Sequence, residues 1–427
     1  MMFTEFLTVD ELDDSLRSIS VPFTIGKSES GRDILCSKVG TGKRTILVFG
    51  FPHANEPIGS LTCLDLIERI KSDPVLENSF TWYVIPCADP DGAMLNQGWF
   101  KGPFTIDKYA RHFYRGKPCM QTDWSFPVKY KDFVFQDSPA HVRALAELIK
   151  RIRPDVVYPI HNAGFGGAYF FVSRPMPGQY YEEVIKLCHK LGIPLDLGEP
   201  EEAFMKELQK PFFLDFGFED YYEFVKSNGK DPVSSIYHGT TSKAYARTIN
   251  PASFGLVGEV PYIFDPKTQD THSDTRTRRQ NIIDDLTVRE KLIRFIKETL
   301  MLPGINKQSV FFDTLTTYVT NACNGIELER RNAKKEAYDW HATIAETFTA
   351  QVISRFYYAL RYGELFRLLN ESGHIKEIQS AKTNVDKEIK NIEGFISKHS
   401  TYKTVPIENM IQLQTQFLLI TLKHLKS

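Results

Sequence analysis

The sequence predicts an α/β fold, with a mixed sheet flanked by helices, followed by an all-α helical bundle. In the first 302 residues, apolar runs rich in β-branched residues alternate with segments of helical periodicity. Residues 305–427 contain a single proline, Pro406, and their apolar residues recur every three or four positions. Because Pro303 and Gly304 lie where one pattern of apolar residues gives way to the other, we expect one domain over residues 1–302 and a helical domain over residues 303–427.

The composition indicates an ordinary globular protein. The 427 residues are 42% hydrophobic and 25% charged, and the formal net charge is −1. With a net charge this small, the protein as a whole has no electrostatic field that would attract nucleic acid or an anionic membrane. No apolar run approaches the ~20 residues of a membrane helix. The acidic N-terminal segment does not resemble a secretory signal, and the six cysteines include no C-x-x-C pair. We therefore expect reduced thiols, a cytoplasmic location, and neither a nucleic-acid nor a membrane partner.

Periodicity and turn residues predict the order of the elements. We expect strands at 34–39, 45–49, 80–86, 155–160 and 169–172, and helices at 57–71, 138–151, 180–191 and 285–300. Residues 200–232 are predicted to be helical as well. The segment 95–135 is aromatic and irregular, and a loop of that length in a compact domain is usually functional.

A histidine and a glutamate stand where a buried strand passes into a helix. The apolar run 46–49 ends at Gly50, His53 and Glu56 follow, and helical spacing begins near Pro57. Ligands gather at the carboxyl ends of strands in α/β folds, and imidazole and carboxylate at this spacing can meet on one Zn²⁺. The alternative is a polar surface turn, since H-x-x-E is a weak pattern. A second copy, His374 to Glu377, follows no strand and is predicted to be a solvated helix start.

Two further residues complete a candidate catalytic site. His161 follows the apolar run 156–160 and can supply the third zinc ligand; the alternative is a core histidine bonded to a carbonyl. Glu259 lies in the apolar segment 256–261, where an unpaired carboxylate would be costly unless a metal is near. It is our candidate general base for a zinc-activated water, and an ion pair with the basic residues at 276–279 is the alternative.

In this order the residues resemble zinc metallocarboxypeptidases of the carboxypeptidase A/B superfamily over residues 20–300. Three sequence motifs match: residues 26–34 resemble the family's G-x-S-x-x-G-R-x-I motif, residues 53–56 its H-x-x-E, and residues 89–92 (Asp-Pro-Asp-Gly) its N-P-D-G turn. His161 follows a strand, as the family's third ligand does. Ile236-Tyr237 resembles the dipeptide that carries a substrate-capping tyrosine, and Glu259 has the position of the catalytic glutamate. The resemblance implies Zn²⁺ on His53, Glu56 and His161, with Glu259 as general base and Tyr237 as the cap. A core aromatic is the alternative for Tyr237.

The residues that would bind the substrate depart from the family's pattern. The family's N-R-N-F clamp corresponds to residues 110–113, where Arg111 would bind a substrate carboxylate and Ala110 replaces the asparagine. Arg115 and the cluster Arg276, Arg278 and Arg279 compete with Arg111 as the carboxylate anchor. No arginine stands near residues 99–101 to stabilise an oxyanion, so Lys101 or His112 would supply that charge. Asn162 takes the position of a serine after the third ligand and is a further substrate-binding candidate.

These observations support three functions. The first is a zinc hydrolase that cleaves a peptide or peptide-like amide bond beside a free carboxylate. The second, suggested by the weakened clamp, is a zinc amidase or deacylase acting on acylated amino acids or modified peptides. The third is a metal-free binding protein whose helical bundle is its working surface. The segment 238–246 lacks an acidic residue, which favours a small or apolar substrate side chain, and the C-terminal helices would serve homo-oligomer formation or partial cover of the site.

Overall fold

The structure is a computed structural model that describes residues 3–198, 200 and 204–425. The strands are β1 Phe23–Lys27, β2 Asp33–Val39, β3 Arg44–Phe49, β4 Phe80–Ile85, β5 Val128–Tyr130, β6 Phe133–Phe135, β7 Val156–Pro159, β8 Tyr169–Val172, β9 Glu207–Gln209, β10 Phe212–Leu214, β11 Phe254–Glu259, β12 Ile263–Phe264, β13 Ser273–Thr277, β14 His341–Thr343 and β15 Lys403–Thr404. The helices are α1 Val9–Ile19, α2 Ile58–Ser72, α3 Pro74–Ser79, α4 Pro90–Asn96, α5 Ile106–His112, α6 Ala140–Ile152, α7 Gly178–Lys190, α8 Phe218–Ser227, α9 Pro232–Ser235, α10 Ser242–Ile249, α11 Arg278–Leu300, α12 Val310–Asn332, α13 Ile344–Phe348, α14 Ser354–Asn370, α15 Lys376–His399 and α16 Ile407–His424.

Within the described residues, nine strands form one mixed sheet in the order β1-β2-β4-β3-β7-β11-β8-β10-β9. The central strands β4, β3, β7 and β11 are parallel neighbours, whereas β1-β2, β2-β4, β11-β8 and β10-β9 pair antiparallel. Both faces carry helices, and a helical C-terminal region follows. The predicted fold class is confirmed.

The alternation of β3 explains the two layers of helices. Its residues Ile46 and Val48 pack in a core with helices α1, α2, α7 and α16, while Leu47 and Phe49 pack in another with α6 and α10. Successive side chains of a strand point to opposite faces, so a central strand covered on both sides must be apolar throughout. All four side chains are fully buried, as the continuous apolar run requires.

A further core lies among the long helices of the C-terminal half. Helices α11, α12, α14 and α15 contribute Ile296, Phe311, Leu365 and Ile389 to one cluster of buried side chains. These residues lie on the apolar stripes that the three-to-four-residue periodicity predicted. Helical packing in residues 303–427 therefore agrees with the sequence.

Contacts nevertheless cross the predicted boundary at residue 302. Helix α16 packs on the sheet through Phe417, whose ring lies 4.7 Å from that of Phe170. The amide of Gln414 on the same helix donates to the carbonyl oxygens of His161, at 2.7 Å, and Gly258, at 2.9 Å. Helix α16 thus covers one face of the sheet and forms hydrogen bonds with the backbone at the ends of β7 and β11.

The prediction of helix over residues 200–232 is wrong for part of that range. Residues Phe212–Leu214 pair with β8 and Glu207–Gln209 form the edge strand, so helix α8 begins only at Phe218; residues 201–203 lie outside the described part. The physical reason is the alternation of two aromatic residues across the sheet: the ring of Phe212 stacks on Phe170, whereas Phe213 packs beside Phe171.

The cysteines agree with the prediction. All six are free thiols, and Cys36, Cys63, Cys87 and Cys188 are buried. Burial raises the pKa of the Cys36 thiol to about 12 and that of Cys188 to about 12, which keeps these thiols protonated and inert. No helix in the described residues combines the length and the apolar character needed to cross a membrane.

Candidate metal centre

Three adjacent parallel strands bring the candidate ligands to one edge of the sheet. His53 and Glu56 follow the end of β3, His161 follows β7, and Glu259 is the last residue of β11. The chain turns sharply after β3, where Phe51 has a φ of 54°. A Cβ on Gly50 would lie 2.5 Å from the carbonyl oxygen of Pro86, so only glycine allows this close approach.

His53, Glu56 and His161 form a compact buried cluster. One ligand atom from each lies within 4.8 Å of the others. Three of their buried polar atoms have no hydrogen-bond partner among the described residues: Nδ1 of His53, Oε2 of Glu56 and Nδ1 of His161. The last two atoms are 3.0 Å apart, close enough for an ion pair when His161 is protonated. Since buried polar atoms are normally satisfied, this donor set fits a bound cation.

The charges of the cluster favour the same conclusion. Burial alone would lower the pKa of His161, but the carboxylates of Glu56, Asp123 and Glu259 raise it to about 10. The site therefore attracts positive charge, and a bound cation would take the place of the proton on His161. Burial and the charge of Arg115 hold the pKa of His53 well below its ordinary value, which keeps the imidazole neutral, as metal ligation requires.

Asp123 orients His161, the third candidate ligand, by contacting the ring nitrogen that faces away from the cluster. Its Oδ2 lies 3.3 Å from Nε2 of His161 and accepts from Nζ of Lys243 at 2.7 Å, while Oδ1 accepts from the backbone N–H of Ser242 at 2.9 Å. Burial alone would raise the pKa of Asp123, but Lys243 and His161 lower it well below its usual range. A carboxylate bonded to the far nitrogen leaves Nδ1 of His161 directed at the cluster, an arrangement typical of metal-bound histidines.

Glu259 and Arg115 approach the cluster from different sides. Oε1 of Glu259 lies 3.6 Å from Nδ1 of His161, and Nη1 of Arg115 lies 3.6 Å from Oε1 of Glu56. Arg115 is held by a hydrogen bond from its Nε to the side-chain oxygen of Gln121, at 3.1 Å. A carboxylate and a guanidinium beside a cation can respectively move a proton and stabilise a developing negative charge.

An inner cavity of about 160 Å³ contains the cluster, and an outer cavity of about 1080 Å³ adjoins it, with three lining residues in common. Six of the side chains that line only the inner cavity form what we call the recess: Trp124, Phe171, Asp215, Phe216, Lys243 and Val257. The side chains shared by both cavities form the throat: Arg115, Tyr357 and Arg361. Two of these three residues come from α14 in the C-terminal half.

Comparison with known families finds a match for the segment that carries the candidate ligands. Residues 8–161 match the zinc carboxypeptidase family. The resemblance inferred from the motifs is confirmed for this segment, which contains His53, Glu56 and His161. The match stops at the third ligand, so Tyr237 and Glu259 lie beyond it. Comparison with curated proteins gives no match.

Several solved structures of metallopeptidases and carboxypeptidases are similar to the chain at low sequence identity. A candidate metallopeptidase of Shewanella amazonensis has a TM-score of 0.41 and 13% identity, and the alignment covers 59% of this chain and 84% of that one. Carboxypeptidase A of Helicoverpa armigera has a TM-score of 0.40 and 15% identity, with 61% and 66% covered. A metallo-carboxypeptidase of Burkholderia cenocepacia has a TM-score of 0.35 and 15% identity, with 62% and 61% covered.

The structure places most of the predicted substrate-binding residues away from the zinc carboxypeptidase-like cluster. Arg111 does not line the inner cavity, because its guanidinium pairs with Asp107 at 2.8 Å and with Asp386 of α15 at 2.6 Å. Lys101 pairs with Glu11 at 2.7 Å on the surface, and His112 is exposed.

Tyr237 and Asn162 have different positions. Tyr237 is 50% exposed and lines the outer cavity, not the inner one. Asn162 does line the inner cavity, but its amide is occupied: the oxygen accepts from the hydroxyl of Tyr262 at 2.8 Å, and the nitrogen donates to the carbonyl of Val260 at 2.9 Å. Asn162 thus ties the β7 and β11 ends together.

The sequence reasoning missed several residues of this zinc carboxypeptidase-like site. Arg115 was considered only as a competitor of Arg111, and Asp123 lies in the irregular segment where periodicity gives no signal. Lys243 is 4% exposed, and such burial of a lysine can be inferred only from its acidic partners in the fold. Tyr357 and Arg361 were assigned to the bundle because nothing local connects them to a distant cavity.

Proposed function

We propose that this protein is a zinc-dependent hydrolase of a peptide or peptide-like amide bond next to a free carboxylate. The observation that supports it best is the convergence of three buried ligand atoms on His53, Glu56 and His161, with the carboxylate of Glu259 beside them. The family match of the ligand-bearing segment supports the same reaction class.

Each side chain has a role in this proposal. Zn²⁺ held by His53, Glu56 and His161 would supply a Lewis acid and lower the pKa of a water molecule. Glu259 accepts the proton of the attacking water and returns it to the leaving amine. Arg115 stabilises the negative charge that develops on the carbonyl oxygen or binds the adjacent carboxylate. Asp123 fixes the ring of His161 and takes no part in proton transfer.

A second candidate is a zinc amidase or deacylase of acylated amino acids or modified peptides. Two observations favour it. Arg111, the predicted carboxylate clamp, is paired with two aspartates elsewhere. In the recess, Lys243 already pairs with Asp123, and Asp215 already pairs with Arg247 at 2.8 Å. The recess therefore has no uncommitted cation for a terminal carboxylate.

The Glu259→Gln variant tests the proposed reaction. We expect it to retain zinc, because the three ligands remain, and to lose about 10²- to 10⁴-fold in kcat, because the amide cannot accept a proton. Metal analysis and single-turnover kinetics measure the two effects. Glu223→Gln, a surface change beside Lys131, is the matched control and should behave like the wild type. Full activity in Glu259→Gln would exclude this residue as the base, and zinc-free purified protein would exclude the reaction class.

Peptides of one sequence with a free or an amidated C-terminus separate the two candidates. The exopeptidase predicts strong discrimination in kcat/KM, since a charge-assisted contact with Arg115 would be lost on amidation. The amidase or deacylase predicts similar rates for both peptides. The same comparison in an Arg115→Gln variant identifies whether that guanidinium is the source of any discrimination.

A further inference from the structure

The throat between the two cavities contains two arginines that are organised by one buried glutamate. Oε2 of Glu364 accepts from Nη1 of Arg361 at 2.6 Å, and Oε1 accepts from the backbone N–H of Arg115 at 3.2 Å. Glu364 is 0% exposed. Glu364 thus holds the side chain of Arg361 and the backbone of Arg115, and both residues lie where the inner and outer cavities adjoin.

Aromatic rings fix the direction of the Arg361 guanidinium. It lies 4.9 Å from the ring centroid of Tyr318 and 5.7 Å from that of Phe113. Stacking of this kind holds a guanidinium without using all of its N–H donors, and the hydrogen bond to Glu364 uses only Nη1. Tyr357, one turn earlier on α14, lies beside it and brings its hydroxyl 3.3 Å from the backbone nitrogen of Gly164.

The charges of the recess and the throat differ. The two charged side chains of the recess both have partners: Lys243 pairs with Asp123, and Asp215 pairs with Arg247, which lies outside the inner cavity. At the throat, the guanidinium of Arg361 pairs with Glu364, while that of Arg115 lies 3.6 Å from Glu56, one of the proposed metal ligands. The throat therefore carries a surplus of positive charge, and the recess carries none. Cations farther out in the outer cavity have acidic partners, such as Asp313 beside Lys117.

We propose that Arg361, with Arg115, binds an anionic group of the substrate at the throat. The substrate is then an amide whose neutral part enters the recess and whose other part carries a carboxylate, either an acidic side chain or a dicarboxylic acyl group. This inference rests on the proposed amide hydrolysis. It assigns a specificity residue to α14, outside the segment that matches the zinc carboxypeptidase family.

Two peptide series test the proposal with the zinc-loaded protein. In one series, glutamate is exchanged for glutamine on the acyl side of the scissile bond, and in the other on the amine side. We expect about a tenfold or larger preference in kcat/KM for glutamate in one series, carried mainly by KM, as one charge-assisted hydrogen bond would give. Arg361→Gln should abolish the preference and Arg361→Lys should retain part of it.

Two controls keep the result interpretable. Arg278→Gln removes a cation that lines only the outer cavity and should leave the preference intact. Arg361→Gln combined with Glu364→Gln removes both charges of the buried pair, so loss of the preference in this variant is not a consequence of an unpaired glutamate. Thermal melts and zinc content establish that each variant is folded and loaded.

Calorimetric binding of the same peptides to zinc-loaded Glu259→Gln gives a readout that does not depend on turnover. Selective binding of the glutamate peptides that is lost on adding Arg361→Gln supports the throat site. Equal hydrolysis and equal binding of glutamate and glutamine peptides overturn it while leaving the proposed reaction intact. Selective binding without hydrolysis by the wild type overturns the reaction and retains the throat site.

Discussion

At the scale of single residues, the side chain that stands out is Asp123. It connects a proposed metal ligand, His161, to a buried lysine, Lys243, and is itself 3% exposed. A buried carboxylate without partners would be costly, and here a lysine, a histidine and a backbone N–H share its charge. The stability of the aspartate and the orientation of the histidine therefore depend on the same contacts.

The Asp123→Asn variant tests this connection. We expect the affinity for zinc to fall about 10- to 100-fold, because an amide is a weaker partner for the far nitrogen of His161 and no longer fixes its tautomer. Competition with a chromophoric chelator measures the affinity. Asp215→Asn is the control, since Asp215 also lies near Lys243, at 3.9 Å, but pairs with Arg247 and does not contact the histidine. Equal zinc affinities in the two variants would contradict the role of Asp123.

At the scale of elements, helix α14 joins the two halves of the molecule. Its backbone touches α5: a Cβ on Gly363 would lie 1.7 Å from the carbonyl oxygen of Ala110. Phe356 stacks on Tyr109 with ring centroids 5.8 Å apart, and residues Thr349–Ile353 before the helix form a π-helical turn. Such turns are rare and frequently occur at functional sites. This packing directs Tyr357 and Arg361 into the throat.

Gly363→Ala should separate α14 from α5. The added methyl group has no space, so we expect a loss of about 1–3 kcal/mol in unfolding free energy, as for other overpacked positions, together with a higher KM. Denaturant titration and steady-state kinetics measure both quantities. Gly394→Ala on helix α15 has open space around the new methyl group and should instead stabilise the protein by about 0.5–1 kcal/mol. If both variants were equally stable, the close approach of the helices would be refuted.

At the scale of the whole molecule, the C-terminal residues complete the catalytic half. Helix α16 lies on the same face of the sheet as α2 and α7, and its Gln414 bonds to the backbone beside His161 and Glu259. Together with α14 in the throat, this arrangement makes the strand ends dependent on residues more than 150 positions later in the chain. We expect the two predicted domains to unfold together.

Phe417→Ala tests that cooperativity. The side chain is 0% exposed, so we expect a loss of about 3–5 kcal/mol, and zinc release should coincide with the loss of helical circular dichroism. Gln416→Ala, the half-buried neighbouring position, should change the unfolding free energy by about 0.5 kcal/mol or less. Two separate transitions, with helices 303–427 melting apart from zinc release, would show independent domains.

The proposed metal ligands could be found from the sequence because their positions depend on local patterns. Apolar runs identify β3, β7 and β11, and the carboxyl ends of parallel neighbours meet at one edge of a sheet. A residue that follows such a run is therefore placed to within a few ångströms before any tertiary contact is known. His53, Glu56, His161 and Glu259 all have this property.

The substrate-binding side of the site depends on tertiary packing. The sequence favours Arg111 over Arg115 as the carboxylate anchor, whereas in the fold Arg111 pairs with Asp386 and Arg115 lies beside Glu56. Arg361 reaches the throat because α14 packs on α5, a contact between segments about 250 residues apart that no local periodicity encodes. The sequence by itself determined the sheet and the edge that carries the ligands, since hydrophobic alternation acts locally. The charges around the substrate were decided only when distant helices packed together.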